Sequence, residues 1–318
     1  IARAKLKISD IGIAESKDCI EFKNRRRFIV PESDWERFGC EDPRVTKLGG
    51  KYYIFYTALS QYPFRADGIK VGVALSTDLK TVTEKHLVTP FNAKAMALFP
   101  EKIGGKLCGI LSVHTDMPPT KICIFGFTKE EELWSENCWH RWHANFEKFA
   151  IPLQRNPGDH VEVGAPPIKT KHGWLLFYSY IRNYSSPDRL FSIEAVLLDL
   201  HNPLKIVART NAPLLIPEEY YERVGLVPNI VFPSGALLEG DSVRLYYGAA
   251  DTACCLATID FPMLMKRLLK KQEKIVRFVR SNTNPIISPV ADHTWESKAT
   301  FNPAALELGG RVHILYRA

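Results

Sequence analysis

Apolar and polar positions alternate with a period of two along most of the chain, in short runs bounded by Gly, Asp or Asn, which predicts β-strands in preference to helices. The runs recur as pairs with a common layout. One pair is Gly50–Tyr56 with Lys70–Asp78, and the next is Gly105–Ser112 with Ile122–Thr128. A third is Gly173–Tyr180 with Phe191–Asp199, and a fourth is Asp241–Gly248 with Cys254–Asp260. The fifth is divided between the ends of the chain, with its first strand at Gly310–Arg317 and its second at Ile11–Asp18. Five units of roughly 50 to 65 residues, none able to bury both sheet faces alone, predict an all-β, five-bladed β-propeller closed by pairing the two ends. Two separate β-domains would leave the matching half-units at the termini unexplained.

The one helical pattern lies near 262–276, where Met265, Leu268, Leu269, Ile275 and Phe278 fit the apolar face of a short amphipathic helix. Its basic residues, Lys266 to Lys274, form the densest positive stretch, and a solvated face explains them more simply than nucleic acid or membrane does. Elsewhere the net charge of +7 is dispersed. With 46% apolar and 24% charged residues over 318 positions, the chain reads as one folded catalytic domain spanning 1–318. No run has the length of a membrane span. Seven cysteines, two of them adjacent at Cys254-Cys255, show no paired framework and no CxxC spacing, so free thiols and a cytoplasmic location are expected. The chain begins at Ile1, which leaves a removed leader open.

Candidate chemistry is carried by carboxylates. Glu41-Asp42-Pro43-Arg44 puts two acids and an arginine at the mouth of a strand. Asp42 reads either as a proton donor or as a turn acid ahead of proline, and Glu41 either as a ligand of a sugar hydroxyl or as part of the same turn. Glu162 stands between Val161 and Val163 before a Gly-Ala-Pro-Pro turn, as a channel acid or an exposed strand residue. Glu194, in the apolar strand Phe191–Asp199, either points into a wet channel or is a paired structural carboxylate. Asp251 and Asn302 are candidate sugar ligands that also read as turn residues. His114, His140, His143 and His160 lack metal-ligand spacing, and surface or aromatic-packing roles suit them better. No metal or cofactor is implied, and GxGxxG, GxxxxGK[ST] and GxSxG are all missing.

The ordered motifs Glu41–Arg44, Ala97–Ile103, Gly164–Ile168 with Gly173–Leu175, Val227–Pro233, Tyr246–Thr252, Asn284–Ile286 and Phe301–Ala304 resemble glycoside hydrolase family 130, the β-mannoside phosphorylases and mannosidases. The resemblance implies a five-bladed propeller and a manno-oligosaccharide substrate, with no nucleic acid or membrane partner and a possible homo-oligomer. It places the segment 284–318 at the family's N-terminal half-blade, so the chain reads as permuted or as a slice of a longer protein. It also implies Asp42 as general acid, with Glu41, Arg44, Tyr247, Asp251, Asn302 and Arg317 around the sugar.

Where the family's phosphorylases hold phosphate with Arg, Lys and His, this chain resembles them poorly, with Leu111-Ser112-Val113-His114, Glu162 and Tyr178-Ser179-Tyr180 at those places. A carboxylate in place of a lysine disfavours a phosphate dianion and suits activation of water. The expectation is therefore an inverting β-1,2-mannosidase in which Glu162 with Glu194 supplies the base. A phosphorylase releasing mannose 1-phosphate and a non-catalytic sugar-binding propeller are the rivals.

Overall fold

The computed structural model describes residues 8–116, 119–270 and 276–318. Five antiparallel sheets are arranged as the blades of a β-propeller. Blade I comprises Cys40–Leu48, Lys51–Leu59, Ile69–Ser76 and Glu84–Leu87, and blade II comprises Ala93–Leu98, Leu107–Val113 and Lys121–Phe127. Blade III is built on His160–Val163, Ile168–Thr170, Gly173–Arg182, Leu190–Leu198 and Ile206–Arg209, and blade IV on Val231–Glu239, Ser242–Ala249, Ala253–Asp260 and Val279–Arg280. Blade V joins the ends: Phe301–Leu308 and Arg311–Arg317 pair with Ile11–Ser16 and Lys23–Ile29. The seam runs from Ile11 opposite Arg317 to Ser16 opposite Val312, as the divided fifth repeat predicted.

Both faces of each blade are buried, because alternate side chains serve different neighbours. In Lys51–Leu59, Tyr53 and Phe55 pack with blade II, while Tyr52, Ile54 and Tyr56 pack with blade V. One apolar cluster lies between each pair of adjacent blades. At about 25 cal/mol per Å2 of buried apolar surface, closing the ring is what makes the individual sheets stable.

A second repeat went unread in the sequence. Trp35-Glu36, Tyr221-Glu222 and Trp295-Glu296 each precede an inner strand, and each fully buried glutamate accepts the hydroxyl of a tyrosine on the following strand: Tyr56 at 2.5 Å, Tyr247 at 2.9 Å and Tyr316 at 2.7 Å. Lys85 pairs with Glu36, Arg280 with Glu222 and Arg25 with Glu296, and His293 Nδ1 lies 2.5 Å from Glu296 Oε1. The tryptophans stack on the tyrosines with centroids 6.2 Å apart in both blade I and blade V. The next strand leaves room for them with a glycine: a Cβ on Gly72 would stand 2.6 Å from Trp35, and one on Gly12 would stand 2.7 Å from Trp295.

The expected helix near 262–276 spans Phe261–Lys270 and buries Leu264, Met265 and Leu268. Leu269 points outward, because the buried face is set one residue earlier than read. Ile275 lies outside the described residues, and Phe278 is buried in an extended segment. The adjacent Cys254 and Cys255 point to opposite faces of their strand, into different clusters. Among the described residues no helix is long and apolar enough to cross a membrane.

Candidate active site

The inner strands of three blades break at the same point. In each, one residue in the left-handed region interrupts the ladder: Asp42 (φ 50°), Ala95 (φ 51°) and Asn302 (φ 52°). Asp and Asn tolerate this conformation better than most residues. The prolines that follow, Pro43 and Pro303, have no N–H to leave unpaired at the bulge. The bulges turn Asp42 and Asn302 toward each other, and Asn302 Nδ2 donates to Asp42 Oδ1 at 2.7 Å. Asn302 thereby orients the acid. Glycine is required alongside, since a Cβ on Gly248 would lie 2.1 Å from Asn302 Oδ1.

Arg317, from the closing strand of blade V, completes this corner. Its Nη2 lies 2.5 Å from Glu41 and its Nη1 3.9 Å from Asp42, and its guanidinium covers the Phe301 ring. Ser9 also donates to Glu41, at 2.9 Å. Burial nevertheless pushes Glu41 above the usual carboxylate range, against the pull of Arg317. Asp251, at the tip of the hairpin between Ser242–Ala249 and Ala253–Asp260, belongs to the same field. Burial raises it to about 6, with Arg317 opposing and Asp42 and Glu41 adding to the rise.

Glu162 comes from the inner strand of blade III, opposite Ser179. Burial raises it to about 7, the charges of Asp116 and Asp42 add to the rise, and Lys94 and Arg44 oppose it. Asp42 and Glu162 thus sense each other across one site. Lys94, which the sequence reading missed, lies on the inner strand of blade II just before Ala95 and pairs with Asp116 at 3.1 Å. It stays protonated, because the nearby Asp116, Glu162 and Asp42 outweigh the burial that would lower it. Tyr184, stacked on His160 at 3.6 Å, senses Glu162, Asp116 and Lys94.

Three expected site residues are fully buried with their polar atoms committed to the protein. Glu194 is not at the channel: it is fully buried on the third strand of blade III, held by both Arg155 nitrogens at 2.5 and 2.8 Å and by the Tyr178 hydroxyl at 3.1 Å. A buried carboxylate needs such partners, and here they lie within the blade. Tyr247 is fully buried too, with its hydroxyl on Glu222 as part of the blade IV latch. Arg44 touches no open space. It donates to the carbonyls of Asp42 (2.8 Å), Gly164 (3.0 Å) and Val163 (3.3 Å), tying the Asp42 bulge to the Glu162 strand. Among the histidines, His114, His143 and His160 pack on aromatic rings, and His140 is exposed beside Glu136.

The arrangement brings Glu41, Asp42, Asp116, Glu162 and Asp251 together with Lys94, Arg317 and the buried Arg44. Residues 2–271 match the family model described as glycoside hydrolase family 130, beta-1,4-mannooligosaccharide phosphorylase. The chain belongs to glycoside hydrolase family 130. It is similar to a 1,2-beta-oligomannan phosphorylase of Thermoanaerobacter sp. (strain X514), with 33% identity over 255 residues that cover 80% of this chain and 79% of the relative. Its fold is similar to the solved beta-1,2-mannobiose phosphorylase from Listeria innocua in complex with beta-1,2-mannobiose, at a TM-score of 0.66 and 28% identity, covering 82% of this chain and 69% of that one. A structure described as showing that the family "contains glycoside hydrolases that target beta-1,2 mannosidic linkages in Candida mannan" shares the fold at a TM-score of 0.60 and 22% identity, covering 79% and 75%.

Proposed function

We propose that this family 130 enzyme cleaves β-mannosidic linkages of manno-oligosaccharides, β-1,2 linkages foremost, by direct displacement at the anomeric carbon. Asp42 supplies the proton to the departing sugar oxygen. The observation that carries this reading is the placement of Asp42 on a bulge, oriented by Asn302 and Arg317 and facing the field of Glu162. A proton donor is what single displacement of a glycoside requires with either acceptor, and a second carboxylate is what inverting hydrolysis needs in addition to activate water.

Two acceptors have support of different kinds. Phosphorolysis is favoured by kinship, since the relatives at 33% identity are named phosphorylases, and Lys94 supplies a protonated ammonium beside Glu162. A phosphate oxygen then bonds to the anomeric carbon and mannose 1-phosphate leaves. Hydrolysis is favoured by one observation, the excess of carboxylates over the whole site, where, among the described residues, Glu41, Asp42, Asp116, Glu162 and Asp251 face only Lys94, Arg44 and Arg317, a balance that disfavours a dianion. Water then attacks, and Glu162 takes its proton. Incubating the protein with β-1,2-mannobiose, with and without inorganic phosphate, separates the two. Mannose 1-phosphate formed only with phosphate establishes phosphorolysis, free mannose formed at equal rates in both establishes hydrolysis, and no cleavage of any mannoside sinks the proposal.

Glu162 gives the acceptors opposite pH signatures. Its carboxyl titrates near 7 in the folded protein. As a base for water it works when ionised, so hydrolysis rises as pH passes through about 7; beside phosphate the ionised form repels, so phosphate affinity falls over the same range. Glu162→Gln is expected to abolish whichever limb is present, and a profile unchanged by it would remove Glu162 from the mechanism. Stability follows one sign in both cases. Between the ordinary carboxyl value near 4.5 and about 7 the folded state keeps a proton that the unfolded state has lost, so this group's contribution to stability declines as pH rises through that window.

A further inference from the structure

Blades III and IV meet around a cavity of about 230 Å3 that shares no lining residue with the carboxylate cluster of the candidate active site. One wall is the segment 212–216, which is tied to both blades: the Leu214 N–H donates to the Ile193 carbonyl at 2.8 Å, and the Leu214 carbonyl accepts from the Phe278 N–H at 2.9 Å. Pro213, Leu214, Leu215 and Phe278 make that wall apolar. Arginines reach the cavity from separate elements: Arg182 ends the strand Gly173–Arg182, Arg267 lies in the last turn of Phe261–Lys270, and Arg277 and Arg280 come from the edge of blade IV. The acid of the lining is Glu218.

The charges around this space do not balance. Arg280 is fixed, with Nε and Nη2 on Glu222 at 2.7 and 2.9 Å, Nη1 on Glu218 at 2.9 Å and Nη2 also on the Ile216 carbonyl at 2.6 Å. Glu222 is committed in turn to the Tyr247 hydroxyl. Arg277 has only a share of Glu218, at 3.4 Å, and among the described residues the exposed Arg182 makes no ion pair. Three guanidinium groups thus share two carboxylates. Like charges gathered on a concave, partly apolar surface raise the local potential and concentrate anions there.

The composition of the walls selects the anion. A monocarboxylate brings one charge and two oxygens, no more than Glu218 already offers. A phosphomonoester brings nearly two charges and three terminal oxygens, which suit guanidinium forks. The apolar wall receives the organic part, and a volume below the roughly 300–1,000 Å3 of drug-sized sites leaves room for one small ring. A polyanion lying along the surface would gain nothing from the cavity.

We propose that this cavity is a binding site for a small phosphomonoester, its phosphate held between Arg182 and Arg277 and its organic part against Pro213 and Phe278. The site is separate from mannoside cleavage and stands or falls without it. Titration calorimetry of the whole protein at low salt, with glucose 6-phosphate and inorganic phosphate as probes, tests it. Glucose 6-phosphate should bind about tenfold more tightly than inorganic phosphate, because only the sugar phosphate meets the apolar wall. Arg182→Gln, and independently Arg277→Gln, should each weaken it about tenfold, the worth of one charge-assisted contact. Lys94→Gln, in the candidate active site, should leave this binding unchanged. Both arginines are exposed, so circular dichroism of their variants should match that of the wild type. Absence of glucose 6-phosphate binding overturns the site, as does binding that Lys94→Gln abolishes and both arginine variants keep. Inorganic phosphate bound as tightly as the sugar phosphate overturns the phosphomonoester in favour of a lone anion. Heparin bound equally by the wild type and both arginine variants, with glucose 6-phosphate unbound, overturns the cavity and assigns the positive charge to the solvated helix face.

Discussion

Asp42→Asn is expected to lower the cleavage rate of manno-oligosaccharides by about 10²–10⁴-fold, the usual worth of a positioned general acid. The substitution is nearly isosteric and asparagine accepts the left-handed backbone at this position, as Asn302 does at the equivalent bulge. An amide oxygen at the place of Oδ1 can still accept from Asn302, so the corner is expected to stay assembled and substrate to stay bound. What is lost is the proton. The loss is the same whether phosphate or water attacks, because both need the departing oxygen protonated. Steady-state kinetics on β-1,2-mannobiose would show a fall in kcat with KM changed little. Retention of more than about a tenth of the activity would move the donor elsewhere. Asp251, raised to about 6, is then the first alternative, and Glu41, also raised by burial, the second.

The fold was legible because the second and third strands of each blade recur as paired apolar, aromatic-rich runs of strand length between Gly or Asp turns. Even the closure could be read, since a half-unit at each end has only one way to pair. The inner strands were less visible. Their bulges and prolines at Asp42-Pro43 and Asn302-Pro303 break the period at the place where the site forms. The glutamate latches escaped because their partners lie 20 or 25 residues away across an intervening strand.

Asp42 and Glu162 could be picked out because acids interrupt apolar or turn contexts there. Lys94 could not, since one lysine in an alternating strand reads as a solvent-facing position. Glu194 misled for the same physical reason that made it attractive. A carboxylate in an apolar strand must be either wet or paired, and its pair, Arg155, lies 39 residues earlier, on a segment with no regular pattern. Tyr247 and Arg44 were assigned to the sugar on motif alone, whereas their polar atoms are consumed by Glu222 and by backbone carbonyls.

Arg44→Ala is expected to destabilise the protein by about 3–5 kcal/mol, the range for breaking a buried, hydrogen-bonded charged group. The side chain has no exposed surface, and its three donors satisfy the carbonyls of Asp42, Gly164 and Val163 while its plane faces the Phe232 ring at 5.5 Å. Burial lowers its pKa to about 10, which still leaves it charged at neutral pH. Alanine would strand three carbonyls in a site closed to water and open a void between blades I, III and IV. Lysine carries the charge without the planar fork and can serve fewer of the three carbonyls, so Arg44→Lys should recover only part of the loss. Urea unfolding of the three proteins gives the stabilities. Activity should fall further than stability alone accounts for, because Arg44 is the shared anchor of the Asp42 bulge and the Glu162 strand. At urea concentrations where all three proteins remain folded, the expected order of kcat is wild type, Arg44→Lys, Arg44→Ala. An alanine variant within about 1 kcal/mol of the wild type, with unchanged kcat, would show that the two carboxylates hold their places without the arginine.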